Sequence, residues 1–101
     1  MKDLYALSSY ALRDLVEIWN FIRRDDLDAA DRVEAELDKC ESLARMPGQG
    51  HPRTDYTKAA ILFFPVYSCL IAYRPETDPL QILGIVHGGR EVKKILKARE
   101  I

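Results

Sequence analysis

The sequence predicts one α+β domain spanning residues 1–101, with element order β-α-α-β-β-β-α and an antiparallel sheet. Three observations predict it. Apolar residues recur at helical spacing through the first half of the chain. Three apolar runs separated by turn formers occupy the second half. Runs of strands that follow runs of helices build segregated layers rather than alternating parallel units. At 101 residues, 48 % of them hydrophobic, the chain can bury one core and is no disordered tail.

Taken in order, Leu4 to Leu7 read as a short first strand. Ser8 or Ser9 then offers a helix N-cap, since a hydroxyl accepts a free backbone N–H of the first turn. Ala11, Leu15, Ile18 and Ile22 follow at helical spacing, and Leu12, Val16 and Trp19 widen that stripe. The polar run Arg23-Arg24-Asp25-Asp26 ends the helix. Asp26 or Asp28 caps a second helix whose apolar seam is Ala30, Val33, Leu37, Cys40 and Ala44, with Leu43 beside it. Met46-Pro47-Gly48 stops it, and the short link between the two helices makes them an antiparallel hairpin. Ala59 to Phe64 is the next strand, Pro65 to Ser68 a turn, and Cys69 to Arg74 the strand after it. Pro75 to Pro79 is dense in turn formers; Leu80 to His87 is the last strand. Gly88-Gly89 breaks it, and a short helix from Glu91 to Lys97 turns Val92, Ile95 and Leu96 inward.

Composition excludes several classes. With 15 Lys+Arg against 16 Asp+Glu, a net charge of −1 is not that of a simple basic nucleic-acid binder. Cys40 and Cys69 form no C-x-x-C or Cys/His cluster, so no zinc site, no disulfide framework and no metal or other cofactor is expected, and a reducing compartment fits. The longest uncharged stretch, Ala59 to Tyr73, is shorter than the roughly 20 residues of a membrane span. No long apolar run follows Met1-Lys2-Asp3, so no signal peptide and a cytoplasmic location are expected. The balance hides an asymmetry. Residues 1–46 carry seven Lys/Arg and eleven Asp/Glu, a net of −4; residues 47–101 carry eight and five, a net of +3. Arg90, Lys93, Lys94, Lys97 and Arg99 hold most of the excess, against Glu91 and Glu100. Such a run either solvates a terminal helix and complements its dipole or attracts an acidic partner or a phosphate backbone.

The segment Leu7 to Ile22 resembles the opening of the ParE branch of the RelE/ParE toxin superfamily. Three later segments agree in order and spacing: Pro47-Gly48-Gln49-Gly50 with Arg53-Thr54-Asp55, Phe64-Pro65-Val66 with Tyr73-Arg74-Pro75, and His87-Gly88-Gly89-Arg90-Glu91. The resemblance implies a bacterial type II toxin neutralised by a co-expressed, ParD-like antitoxin. It also implies the family fold, a helical hairpin packed on a small antiparallel sheet.

RelE-like members cut mRNA on the ribosome, which requires groups to deprotonate the 2′-OH, stabilise phosphate charge and protonate the leaving oxygen. Where they carry strand lysines, this chain has Ile61 and Phe63, and where they carry a strand arginine after the turn it has Leu70. Arg90 alone matches a RelE-type catalytic arginine. No catalytic residue is therefore assigned. The ParE branch lacks that nuclease set and is associated with poisoning DNA gyrase, so the resemblance implies a gyrase-inhibiting toxin; its members often carry a second-strand Arg where this chain has Leu62. A ribosome-dependent RNase and a toxin-like binding module without activity are the alternatives.

Candidate residues for contact with target or antitoxin are Arg90, Lys93, Lys94, Lys97, Arg74, Trp19, Leu12 and Val16. Arg90 sits at a glycine-flanked junction, where a guanidinium fork fits phosphate or carboxylate as well as a structural salt bridge. Arg74, at a strand end, fits a structural role or a partner contact. Trp19 and Phe21 fit the core or the hairpin interface, while Trp19 beside Leu12 and Val16 also fits an anchor for the antitoxin. His87 reads as a structural hydrogen-bonding group, His51 as solvated and Cys40 as core. Tyr67, at a hairpin tip, either folds back on the sheet or meets a partner. Two helices cannot bury both apolar stripes against a small sheet, so the antitoxin's C-terminal segment is expected to fold along the hairpin and reach the sheet edge. No sequence-specific DNA binding by the chain alone and no membrane association are expected.

Overall fold

The computed structural model describes residues 4–25, 29–88 and 91–101, with 21–25, 29 and 30 described by backbone alone. The elements are β1 (Tyr5–Leu7), α1 (Ser9–Asp25), α2 (Ala29–Arg45), a 3-10 turn (Pro47–Gln49), β2 (Leu62–Val66), β3 (Cys69–Arg74), β4 (Leu80–His87) and α3 (Val92–Ala98). The α+β class and element order are those of the sequence reading.

Ser8 caps α1: its Oγ accepts the Ala11 N–H at 3.0 Å and donates to the Leu83 carbonyl at 3.0 Å. One hydroxyl thus starts the helix and ties it to the sheet. The expected caps of α2 at Asp26 and Asp28 lie outside the described residues. At the far end of α2, the Gln49 side-chain amide donates to the Ser42 carbonyl and hydroxyl, so the chain turns sharply after Arg45.

The sheet has the order β1-β4-β3-β2. β2, β3 and β4 are antiparallel neighbours, but β1 joins β4 in parallel, pairing Tyr5 with Leu80 and Leu7 with Ile82. The sheet is therefore mixed, not wholly antiparallel. The helical hairpin between β1 and the other strands is a crossover long enough to bring β1 back parallel.

β2 also differs from its expected 59–64 span. It starts at Leu62 and runs through Pro65 and Val66, leaving only Tyr67 and Ser68 in the turn. Phe63 explains how Pro65 is accommodated. Its N–H and C=O both bond His51, at 2.9 Å each, on the side away from β3. Backbone groups alternate in direction, so Pro65 also faces that outer edge, where its missing N–H costs no ladder bond.

Side chains alternate between two cores. On one face, Ile71, Tyr73, Ile82 and Ile85 pack with Ala11 and Leu15 of α1 and Cys40 and Leu43 of α2. On the other, Phe63, Ala72 and Val86 pack with Ile61 and with Val92 and Leu96 of α3. The helical hairpin and α3 therefore cover opposite faces of the sheet.

Candidate functional site

On α1, Ala11 and Leu15 turn into the core, and Leu12, Val16 and Trp19 turn out, 56 %, 52 % and 37 % exposed. The spacing i, i+4, i+7 places these three on one stripe. The inner face of the helix is already packed, so this apolar stripe is left in water. Trp19 is thus no core residue. Phe21 and Ile22 have no described side chains.

The inner face of α1 carries an acid that the sequence reading passed over. Asp14, buried, accepts the Ile85 N–H at 2.9 Å and a two-pronged bond from Arg99, at 2.7 and 2.6 Å. β1 pairs with β4 only as far as Ile82, so β4 has free backbone groups beyond that point, and Ser8 and Asp14 of the next element satisfy them. The Arg99 guanidinium also lies 5.0 Å from the Tyr10 ring centre. The Asp14 carboxylate raises the Arg99 pKa further, keeping the guanidinium charged. Gly84 makes the room: a Cβ there would stand 2.8 Å from the Arg99 terminal nitrogen and 3.4 Å from Asp14 Oδ2. Arg99, which the sequence groups with the basic run that is either solvated or attracts an acidic partner or phosphate, is instead the clasp between the last turn and the first helix.

The centre of the sheet is apolar. Ile61, Phe63, Ile71 and Ala72 are buried, and Leu62 and Leu70 are half-buried. Tyr73 is fully buried; its hydroxyl donates to the Pro47 carbonyl at 2.6 Å and accepts the Gly50 N–H at 2.9 Å. Burial pushes the phenol up, so it stays protonated and donates. Gly50 is needed there, because a Cβ would lie 2.5 Å from the phenolic oxygen. This bond pair fixes the 47–50 segment on the sheet. Among the described residues no group of three His, Cys, Asp or Glu is placed to hold a metal ion.

The remaining candidates are dispersed. Lys93, Lys94 and Lys97 are exposed on α3, across the sheet from the α1 stripe. Arg74 is half-buried at the end of β3, and its carbonyl accepts the Thr77 hydroxyl at 2.8 Å. Arg90 lies outside the described residues. Tyr67 neither folds back on the sheet nor stands bare: it is 67 % exposed, and the Arg32 guanidinium lies 5.1 Å from its ring centre. His51 is exposed, with its backbone bridged to Phe63, and Cys40 is core, its thiol pushed up to about 12 first by burial and then by Glu36. Glu36 escaped the sequence reading. It is 2 % exposed beside Cys40 on the inner face of α2, and its Oε2 has no hydrogen-bond partner.

Residues 5–92 match the family described as the ParE toxin of the type II toxin-antitoxin system parDE. A curated protein of Sinorhizobium fredii (strain NGR234), "Putative toxin Y4kP", is 36 % identical over 88 residues, covering 85 % of this chain and 88 % of its own length. A chain from a structure of the chromosomal ParDE toxin–antitoxin system of P. aeruginosa shares the fold at a TM-score of 0.67, with 18 % identity over 83 % of this chain and 96 % of its own.

Proposed function

Since this chain belongs to the ParE toxin family of type II toxin–antitoxin systems, we propose that it arrests growth by inhibiting DNA gyrase, without catalysis of its own, and that a ParD-like antitoxin silences it through the α1 stripe. The observation that carries the non-catalytic reading is the apolar sheet centre. From Ala59 to Tyr73 no charged side chain occurs, so β2 and most of β3 offer no base, acid or phosphate cation. Arg74, at the end of β3, is one cation without a partner acid or base in that row.

The silencing half rests on Leu12, Val16 and Trp19. Their exposed stripe fits an amphipathic segment that folds on docking, with Trp19 as its central anchor. The β2 edge is a poor place for strand addition, since His51 occupies Phe63 and Pro65 lacks an N–H.

The test is inducible expression with and without the neighbouring antitoxin gene. The expected result is growth arrest relieved by the neighbour, a DNA-damage response, and loss of gyrase supercoiling with purified protein. Codon-specific cuts in translated mRNA with gyrase unaffected would establish the RNase instead. Normal growth despite soluble, folded protein would make the chain a binding module.

A further inference from the structure

Across the sheet from the α1 stripe, α3 and the turn at 53–56 enclose an open groove of about 520 Å³ lined by Tyr56, Val92, Glu91, Lys93, Lys94 and Lys97. We infer that this groove is a second docking site, built for an acidic polypeptide segment that carries an apolar anchor residue. It lies apart from the stripe assigned to the antitoxin, and its occupant is a partner segment defined by that chemistry.

Its apolar lining is Val92, the part of the Tyr56 ring that Arg53 and Phe63 leave uncovered, and the aliphatic stems of the lysines. The groove is wide open to solvent, and most of the surface it exposes is apolar, so it seats an apolar side chain against its wall rather than enclosing a ligand. The rim is electropositive. Lys94 meets Glu91 at 3.5 Å with both side chains about four-fifths exposed, a contact that an incoming carboxylate displaces at little cost. Lys93 stands close enough to Asp55 to help hold that carboxyl below its usual range, after the Arg53 hydrogen bonds. Lys97 completes the row one turn after Lys93 and Lys94.

The same geometry disfavours nucleic acid. Single strands bind on free aromatic faces, but Arg53 stacks 4.1 Å from the Tyr56 ring centre and Phe63 meets that ring edge-on, with centres 5.8 Å apart. Arg53 itself makes two bonds to Asp55, 3.0 and 2.8 Å. A nucleic-acid backbone also carries a charge at every residue, so it cannot avoid Asp55 and Glu91, whereas a peptide spaces its carboxylates to meet only the lysines.

The experiment titrates full-length protein into the fluorescently labelled peptide Asp-Glu-Leu-Phe-Glu-Asp and follows anisotropy over a salt series. Saturable binding is expected, weakened about tenfold or more when Leu-Phe becomes Ser-Ser, and equally by Lys93→Glu combined with Lys97→Glu. Both lysines are exposed, so these variants fold, which circular dichroism checks. Trp19→Ser leaves the peptide affinity unchanged, which separates this site from the α1 stripe. The outcome does not depend on whether the chain arrests growth. Equal affinity for the Ser-Ser peptide, preference for a short oligothymidylate, lysine-dependent self-association that excludes the peptide, or no binding at millimolar protein would each overturn the inference.

Discussion

Glu36 is 2 % exposed and one of its carboxylate oxygens bonds nothing, so burial raises its pKa from 4.5 to about 7. In the unfolded chain it ionises near the ordinary value. Between the two values the folded chain holds a proton the unfolded one has lost, so folding stability falls as pH rises from about 4.5 to about 7 and then levels off. The full shift corresponds to a loss of up to about 3 kcal/mol. Urea unfolding of Glu36→Leu should show a shallower decline over that window and a more stable protein above neutrality. Superimposable pH profiles for variant and parent would refute the assignment. Tyr73 provides a second residue-scale test. Tyr73→Phe strands the buried Gly50 N–H and the Pro47 carbonyl, at a cost of about 1–3 kcal/mol. Unfolding measurements read the loss directly, and an unchanged midpoint would mean that water replaces the hydroxyl. Neither role is visible in composition. Glu36 does break the apolar seam of α2, lying between Val33 and Cys40, and a periodicity reading that asked which acids fall inside the stripe would have found it and Asp14 together.

At the scale of elements, α1 is where sequence and structure agree most closely. Its helical period, its Ser8 cap and its broad apolar girth are all local properties. The structure adds the division of that girth, with Ala11 and Leu15 facing the core and Leu12, Val16 and Trp19 facing out. If the outer stripe holds the antitoxin, Trp19→Ala weakens the complex by roughly 2 kcal/mol or more while the fold survives, because Trp19 is 37 % exposed. Calorimetric titration with the antitoxin, with circular dichroism as the folding control, checks this; an unchanged affinity would place the antitoxin elsewhere. β2 is the contrary case. An apolar run followed by proline reads as a strand and then a turn, and nothing local tells that Pro65 faces an outer edge. That depends on His51 pairing with Phe63 and on β3 lying on the other side.

For the whole molecule, the Asp14–Arg99 pair joins residues 85 apart in sequence and closes α3 onto α1 around the edge of β4. Buried charges that lose a partner are costly, so Arg99→Ala should destabilise the protein by about 3–5 kcal/mol, and Asp14→Ala by a similar amount. A double-mutant cycle in urea then recovers a coupling energy, because removing the second partner costs little once the first is gone. Additive losses would show that the two residues act separately. No helix among the described residues is long and apolar enough to cross a membrane.

By itself the sequence determined the kinds of element and their order, a serine cap at Ser8 or Ser9, the helical hairpin and the apolar centre of the sheet. Each of these is written in residues no more than a turn or a strand apart. Only the tertiary structure decided that β1 runs parallel to β4, that the hairpin and α3 take opposite faces, and that Arg99 belongs to Asp14 rather than to the solvated lysines beside it. A periodic pattern records which side of an element is apolar, but not which distant segment meets it. A charge is solvated or buried according to where the chain returns, and that is fixed only when the free edge of β4, the room at Gly84 and the inner face of α1 come together.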